Sequence, residues 1–304
     1  LAAIRPVPDL AEELVAPPYD VINADEARTL AEGKPWSFLH ISKPEIDLDP
    51  KTDPYSPEVY EKGRSNFKRM IEQKVLRQDK KKCFYVYQLK MNNHTQTGIA
   101  GAASIMSYHQ NVVRRHEYTR PSKETDRVRQ IDAVNAQTGP VFTTHKNSGL
   151  IQDVIDRVVK GAADYHVIGD GNVGHTLWLV DDDADIIQIT RAFEELGVIY
   201  IADGHHRSAA AARVAAQRNA NISNPTGMEA HDFFLIVSFP ETEVKILDYN
   251  RIVRDLNGYS NTEFLEKLSE ICDLVPFDEA PKPTSSGNYA MYIDGNWYSF
   301  TLFI

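Results

Sequence analysis

The clearest hydrophobic pattern in the chain is a short apolar run that passes directly into an alanine-rich segment. Residues 198–201 are β-branched or aromatic and predict a buried strand, whereas residues 208–216 consist almost entirely of helix-forming residues. The connection between them is polar and titratable: Asp203, Gly204, His205, His206 and Arg207. The sequence therefore predicts a strand-turn-helix unit whose turn carries chemically versatile side chains.

The first hundred residues alternate between predicted helices and strands. Helices are expected over residues 24–31 and 57–76, because Asn23 and Ser56 are suitable N-cap residues. Residues 44–54 contain four acidic side chains and predict a solvated connection. Strands are predicted at three apolar runs, of which the last two would form an antiparallel hairpin: residues 36–41, 83–89 and 98–106.

The second half of the chain continues the alternation. A strand over 175–180 and a helix over 184–196, ended by Gly197, precede the strand-turn-helix unit. A further helix is expected over 122–136. The remaining predictions are a buried strand over 232–239, a helix over 262–271 and a terminal hairpin with its turn at Asp294-Gly295 and its second strand from Trp297 to Ile304.

This order of elements predicts an α/β fold of the mixed α+β kind, with a mixed sheet flanked by helices. We divide the chain into an N-terminal α+β segment, residues 1–110, a core, residues 111–245, and a C-terminal α+β segment, residues 246–304. Because the sequence starts without methionine and stops inside a predicted strand, we expect a longer native protein.

Composition narrows the classes of function. The chain has 304 residues, 42% of them hydrophobic and 25% charged, as expected of a globular protein, and its formal net charge is −10. This charge disfavours nucleic acid as a partner, and no apolar stretch predicts a membrane span. Two cysteines give neither a disulfide framework nor a metal knuckle, which favours a reducing cytoplasm.

The polar turn predicts an anion site. Gly204 permits a sharp turn and close approach of a ligand to the backbone, the first amides of the following helix point outward, and Arg207 adds a positive charge. Phosphate is the expected ligand. The alternative is a purely structural turn in which Asp203 caps the helix, although two adjacent histidines are not explained by that role.

A second polar cluster surrounds the start of the helix at residue 122. Lys123, Asp126 and Arg127 fall within one turn and share a side, either as surface ion pairs or as part of a site. Glu117, in the preceding loop, is placed to accept a proton beside bound phosphate. The segment Pro17-Pro18-Tyr19-Asp20 is extended and forms either one wall of a pocket or a rigid turn.

Three segments together resemble the DUF1015 family of bacterial and archaeal proteins. They are Pro17-Pro18-Tyr19-Asp20-Val21-Ile22, then His116-Glu117 with Thr119, Lys123 and Asp126-Arg127, and finally Asp203-Gly204-His205-His206-Arg207. The last segment is also similar to the phosphate-binding turn of ParB-like and sulfiredoxin-like domains, which implies a ParB/sulfiredoxin-like nucleotide-binding core over residues 111–245. The resemblance further implies chain beyond residue 304.

Relatives in the ParB/sulfiredoxin-like group include kinases that phosphorylate free L-serine with ATP or ADP, so the resemblance implies this activity. It assigns the catalytic groups Glu117, Asp203 and His116, with Mg²⁺ on Asp203. Phosphate binding is then expected from Gly204, His205, His206, Arg207, Lys123 and Arg127, and the substrate pocket from Tyr19, Asp20, Thr119 and Asp126. The chain has no Walker-type phosphate loop, so an ordinary P-loop kinase is excluded by motif.

Three alternatives stay open from the sequence. A ParB-like module binds nucleotide as a switch without any small-molecule acceptor, and a nuclease or DNA-binding protein is suggested by fold kinship alone. Hydrolytic metal chemistry on the histidines ranks last, because adjacent imidazoles in a tight turn seldom converge on one ion. Whether the chain forms a homodimer is also left open.

Overall fold

The protein is described by a computed structural model that covers residues 1–248 and 250–303. The α-helices of this part of the chain are α1 (Ala11–Leu14), α2 (Ala24–Ala31), α3 (Leu39–Ser42), α4 (Pro57–Glu72), α5 (Ile105–His109), α6 (Pro121–Val134), α7 (Gly149–Val158), α8 (Asp183–Leu196), α9 (His205–Asn219) and α10 (Asn261–Ser269). The strands are β1 (Ile4–Pro6), β2 (Leu76–Gln78), β3 (Phe84–Met91), β4 (His94–Ser104), β5 (Val113–Arg114), β6 (Val141–His145), β7 (Tyr165–Gly169), β8 (Val173–Val180), β9 (Ile199–Asp203), β10 (Phe233–Pro240), β11 (Cys272–Phe277), β12 (Asn288–Ile293) and β13 (Asn296–Leu302).

An eight-stranded sheet forms the centre of the first compact unit, Leu1–Lys245. Its strand order is β5-β9-β6-β10-β4-β3-β8-β7. The sheet is mixed, because β10 runs parallel to β6 and β5 runs parallel to β9, whereas the other neighbours are antiparallel. The predicted mixed α/β class is therefore confirmed.

Helices cover this sheet through two hydrophobic clusters. In one cluster, Ile201 of β9 and Phe234 of β10 pack against the alanines of α9. In the other, Val86 and Ile99, which face each other across β3 and β4, pack with α7 and α8. Phe193 contacts both clusters, so they form one continuous core. The alanine-rich sequence of α9 allows the helix to lie close to the sheet, which holds its first turn in a fixed place.

A helical layer connects the N-terminal residues to α9. Met70 of α4 and Val134 of α6 share a cluster with Ile41 of α3. Val128 of α6 packs in turn against Ala210 and Val214 of α9. The first turns of α6 and α9 are therefore brought close to the N-terminal segment, and this is where the predicted site residues lie.

Several sequence predictions are confirmed. Helix α2 spans the predicted residues, and the reciprocal capping box between Asn23 and Glu26 is present. The hairpin of β3 and β4 forms, although the predicted end of its second strand at residue 106 is wrong because Ile105 begins α5. Helix α8 ends at Gly197 in the left-handed conformation. The strand-turn-helix unit is present as β9 and α9.

The predicted strand over residues 36–41 is wrong. Leu39 begins the short helix α3, in which Leu39 and Ile41 are buried. A short apolar run does not distinguish a strand from a helix turn. Here the helical conformation is favoured because it buries Ile41 against Met70 of α4. The predicted extension of α4 to residue 76 is also wrong, because Lys74 adopts a positive φ of 60° and Leu76 begins β2.

The interpretation of residues 44–54 as a solvated connection is wrong for its first part. Pro44–Asp47 forms a 3₁₀ turn in which Pro44 is buried. Asp47 accepts a hydrogen bond from Asn66 at 2.7 Å and contacts the His40 ring nitrogen at 2.7 Å. Asp47 therefore serves tertiary contacts, which a count of charges in sequence does not reveal.

The second compact unit comprises Ile246–Ile304. It contains α10 and a three-stranded antiparallel sheet in the order β11-β13-β12. The predicted hairpin is present, with Asp294 and Gly295 both at positive φ in its turn, whereas Ile304, the end of the predicted second strand, lies outside the described residues. The boundary predicted between residues 110 and 111 stays a prediction.

Candidate functional site

The turn between β9 and α9 is built on Gly204, which has a φ of 100°. L residues avoid this conformation, and a Cβ at this position would lie 3.1 Å from Cζ of Arg207. Gly204 provides no side-chain cap for the helix. The first amides of α9 therefore have no intrahelical or capping partner, which is the arrangement that binds anions at helix N-termini.

Arg207 ties this turn to a neighbouring loop. Its guanidinium donates to the carboxylate of Asp203 and to the carbonyl oxygen of Pro140. The Asp203 side chain is 67% exposed, whereas that of Arg207 is 18% exposed. In this structure Arg207 thus has a structural role as well as supplying positive charge beside the start of α9.

His205 is enclosed by the loop that precedes α6. Its side chain is 4% exposed, its Nε2 accepts a hydrogen bond from the His116 amide at 3.4 Å, and its ring meets the His116 ring edge-on at 4.5 Å. Burial lowers the pKa of His205. The nearby His116 lowers this pKa further, whereas the carboxylate of Glu117 opposes the shift. A neutral ring whose Nε2 accepts carries its proton on Nδ1, which lies 3.8 Å from Oε2 of Glu117.

His206 turns toward the first residues of α6. Its Nε2 accepts a hydrogen bond from the Arg120 amide at 3.0 Å, which leaves Nδ1 as the donor of the neutral ring. Burial and then the positive charges of Lys123 and Arg120 lower the pKa of His206. Both histidines are therefore held as neutral hydrogen-bond donors at the N-terminus of α9.

Thr119 fixes the same loop from its other side. Its hydroxyl donates to Oε2 of Glu124 at 2.7 Å, and Arg213 of α9 donates to the second oxygen of Glu124 at 3.0 Å. Burial would raise the pKa of Glu124, but these two hydrogen bonds and the charge of Arg213 lower it overall. The loop that carries His116 and Glu117 is thus anchored to both α6 and α9.

A cavity of about 320 Å³ lies beside the turn. Its wall includes six residues predicted from the sequence: Tyr19, Asp20, Lys123, Asp126, Arg127 and His206. The guanidinium of Arg127 lies over the Tyr19 ring at 3.9 Å and donates to Asp126 at 2.6 Å, and Tyr60 donates to Asp126 at 2.7 Å. Burial raises the pKa of Tyr19, although the positive charge of Arg127 opposes this shift.

The predicted site residues therefore form two groups. His116, Glu117 and His205 meet at the turn, together with Asp203, Gly204 and Arg207, whereas the cavity holds the six residues named above. His206 belongs to both groups, because it lies in the first turn of α9 and lines the cavity. Thr119 does not line the cavity and acts on the loop instead.

Sequence reasoning missed part of the cavity wall. Ser42, Lys43, Glu45, Tyr55 and Tyr60 line it as well. The start of α4, with Pro57 as its first residue, is predictable from the sequence, but nothing local indicates that Tyr60 faces α6 across the helical layer.

The described residues contain no cluster of three or more His, Cys, Asp or Glu side chains that could hold a metal ion. They also contain no helix with the length and apolar character needed to cross a membrane. A magnesium ion bound together with phosphate needs only one or two protein carboxylates, and the exposed carboxylate of Asp203 meets that requirement.

The chain belongs to the family described as protein of unknown function DUF1015, whose model matches residues 1–303. No curated protein and no solved structure matched the chain.

Proposed function

We propose that this member of the DUF1015 family is a kinase that transfers a phosphoryl group from ATP or ADP to the hydroxyl of a free amino acid such as L-serine. One observation carries the proposal. An uncapped helix N-terminus with two neutral imidazole donors opens beside a cavity of metabolite size, and His206 is part of both.

The phosphates of the nucleotide would lie on the amides of residues 205–207. Phosphoryl transfer depends on positioned donors for negative charge more than on covalent catalysis. The Nδ1 protons of the two histidines, Lys123 and the guanidinium of Arg207 supply such donors, and Arg127 adds charge at the cavity. Because His205 and His206 have lowered pKa values, they donate hydrogen bonds at neutral pH without adding formal charge.

Glu117 would take the proton from the acceptor hydroxyl, with His116 beside it. Its side chain is 63% exposed and lies 3.8 Å from Nδ1 of His205, so it is both accessible and oriented toward the phosphate-binding turn. Asp203 would hold Mg²⁺, which when bound neutralises the charge of the phosphates. Arg207 already contacts Asp203, and this pairing keeps the carboxylate at the turn.

We also propose that residues 111–245 carry a ParB/sulfiredoxin-like core. The support is the motif Asp203-Gly204-His205-His206-Arg207 in its observed setting at a strand-to-helix turn.

Incubation of the full chain with ATP or ADP, Mg²⁺ and a panel of amino acids tests the kinase directly. Mass spectrometry of the small-molecule fraction would detect a phosphorylated amino acid. We expect Asp203→Asn and Glu117→Gln to lower turnover at least about a hundredfold while nucleotide binding persists. Asp156→Asn, an exposed aspartate on α7, is the matched control and should leave turnover unchanged.

Full turnover in both site variants would refute the assigned site. Nucleotide binding at the turn with no phosphorylated product from any acceptor would instead support the ParB-like switch.

A further inference from the structure

The cavity wall contains one charge of each sign that the protein leaves unpaired. The exposed side chains of Asp20 and Lys123 make no hydrogen bond or ion pair with any other described residue. The remaining charged groups of the wall are paired, Lys43 with Glu45 at 2.9 Å and Arg127 with Asp126 at 2.6 Å. A ligand that carries both an ammonium and a carboxylate group would complement this pattern.

A buried hydroxyl gives an independent indication of a ligand. Ser42 lines the cavity and is only 8% exposed, yet its Oγ has no hydrogen-bond partner among the described residues. Buried polar groups without partners are costly and uncommon in folded proteins. Gln130, which is also buried in this wall, donates to the carbonyl oxygen of Ile41 at 2.8 Å, so Ser42 is exceptional here.

The size of the cavity limits the ligand. A volume of about 320 Å³ lies at the lower end of the range for ligand pockets, which is roughly 300–1,000 Å³. Three tyrosine rings, those of Tyr19, Tyr55 and Tyr60, form part of its wall. These features favour a small metabolite over a whole nucleotide.

We propose that this cavity binds the amino and carboxylate groups of a free α-amino acid, with Asp20 on the ammonium group and Ser42 and Lys123 on the carboxylate. The inference rests on the proposed function, for which it names the acceptor site. Lys123 lines the cavity and lies close enough to His206 to lower the pKa of that ring. Its three N–H groups would donate to the carboxylate of the amino acid, and its positive charge would reduce the repulsion between this carboxylate and the nearby phosphates. The amino acid hydroxyl then points toward His206 and the turn.

Calorimetry on the full chain without nucleotide tests the ligand class. L-Serine is compared with ethanolamine, which lacks the carboxylate, and with 3-hydroxypropionate, which lacks the ammonium group. We expect L-serine to bind and each analogue to bind at least about tenfold more weakly, because each leaves one charged group of the wall without its partner. Equal binding of either analogue, or no binding of L-serine, would overturn the proposal.

Ser42→Ala gives a sharper test, because its two effects have opposite signs. Without ligand, the thermal midpoint should stay the same or rise, since a hydroxyl without a partner is removed. Affinity for L-serine should fall by about tenfold. The matched control is Ser37→Ala, a serine that is 2% exposed, lies outside the cavity and accepts a hydrogen bond from the Leu39 amide at 3.4 Å. Wild-type affinity in Ser42→Ala would exclude this serine from the site.

Failure of this inference is distinguishable from failure of the kinase proposal. L-Serine binding that is lost in Asp20→Asn, with no phosphoserine formed from any nucleotide, would keep the amino acid site and refute the kinase. Phosphoserine formed with an unchanged KM for serine in both Asp20→Asn and Ser42→Ala would keep the kinase and refute the site.

Discussion

Replacement of Gly204 by alanine tests whether the conformation of the turn and the position of the Arg207 side chain are energetically coupled. At a φ of 100°, an L residue is outside the favoured regions, which costs about 1–2 kcal/mol. The new Cβ would also lie 3.1 Å from both Cζ and Nε of Arg207. Moving this guanidinium weakens its hydrogen bonds to Asp203 and Pro140, which contribute about 1–2 kcal/mol after allowance for the exposure of Asp203. We therefore expect a total loss of about 2–4 kcal/mol.

Chemical denaturation of matched variants separates these two contributions. Gly197→Ala is the control, because Gly197 has a φ of 67° and no atom lies within 4 Å of its added Cβ, so only the backbone cost remains. In an Arg207→Ala background, the cost of Gly204→Ala should fall to that of the control, since the crowded group is gone. If Gly204→Ala costs no more than Gly197→Ala, or costs the same with and without Arg207, the coupling between turn and arginine does not exist.

Two further predictions concern the buried polar groups. Burial lowers the pKa of His145 to about 4. At a pH between the ordinary imidazole pKa and this lowered pKa, His145 is protonated in the unfolded state but not in the folded state. The free energy of unfolding should therefore fall by up to about 3 kcal/mol from pH 7 to pH 4. Urea titrations should show a smaller pH dependence for His145→Asn, and an unchanged dependence would contradict this assignment. Tyr60→Phe removes the hydrogen bond to Asp126 and should cost about 1 kcal/mol in urea denaturation, whereas no change would show that this bond does not stabilise the cavity wall.

The turn could be predicted from sequence because its causes are local. A β-branched run, a glycine and an alanine series follow one another within twenty residues. The first favours a strand and the last a helix, and the glycine permits the sharp turn between them. The capping box of Asn23 was predictable for the same reason. Residues 36–47 differ from the prediction because their structure depends on burial of Leu39, Ile41 and Pro44 against other helices, which no short window of sequence reveals.

The cavity could be predicted only in part, because it is assembled from distant parts of the chain. Its wall takes Asp20 from an extended segment, Ser42 from α3, Tyr60 from α4 and Lys123 from α6. Family resemblance indicated Asp20 and Lys123 among these, but the predicted site did not include the hydroxyl of Ser42. What singles it out is a hydrogen bond that is missing from the folded structure.

His206 is the residue at which the two parts of the site are joined. The backbone of the turn fixes its position at the start of α9, and the Arg120 amide fixes its ring. Lys123, which lowers its pKa, lies in the cavity wall. An anion that binds at the turn would offset the positive charge of Lys123 at this ring, and a carboxylate in the cavity would interact with the same lysine. Because both ligands act on one ammonium group, occupancy of the turn and of the cavity should be coupled through Lys123 and His206.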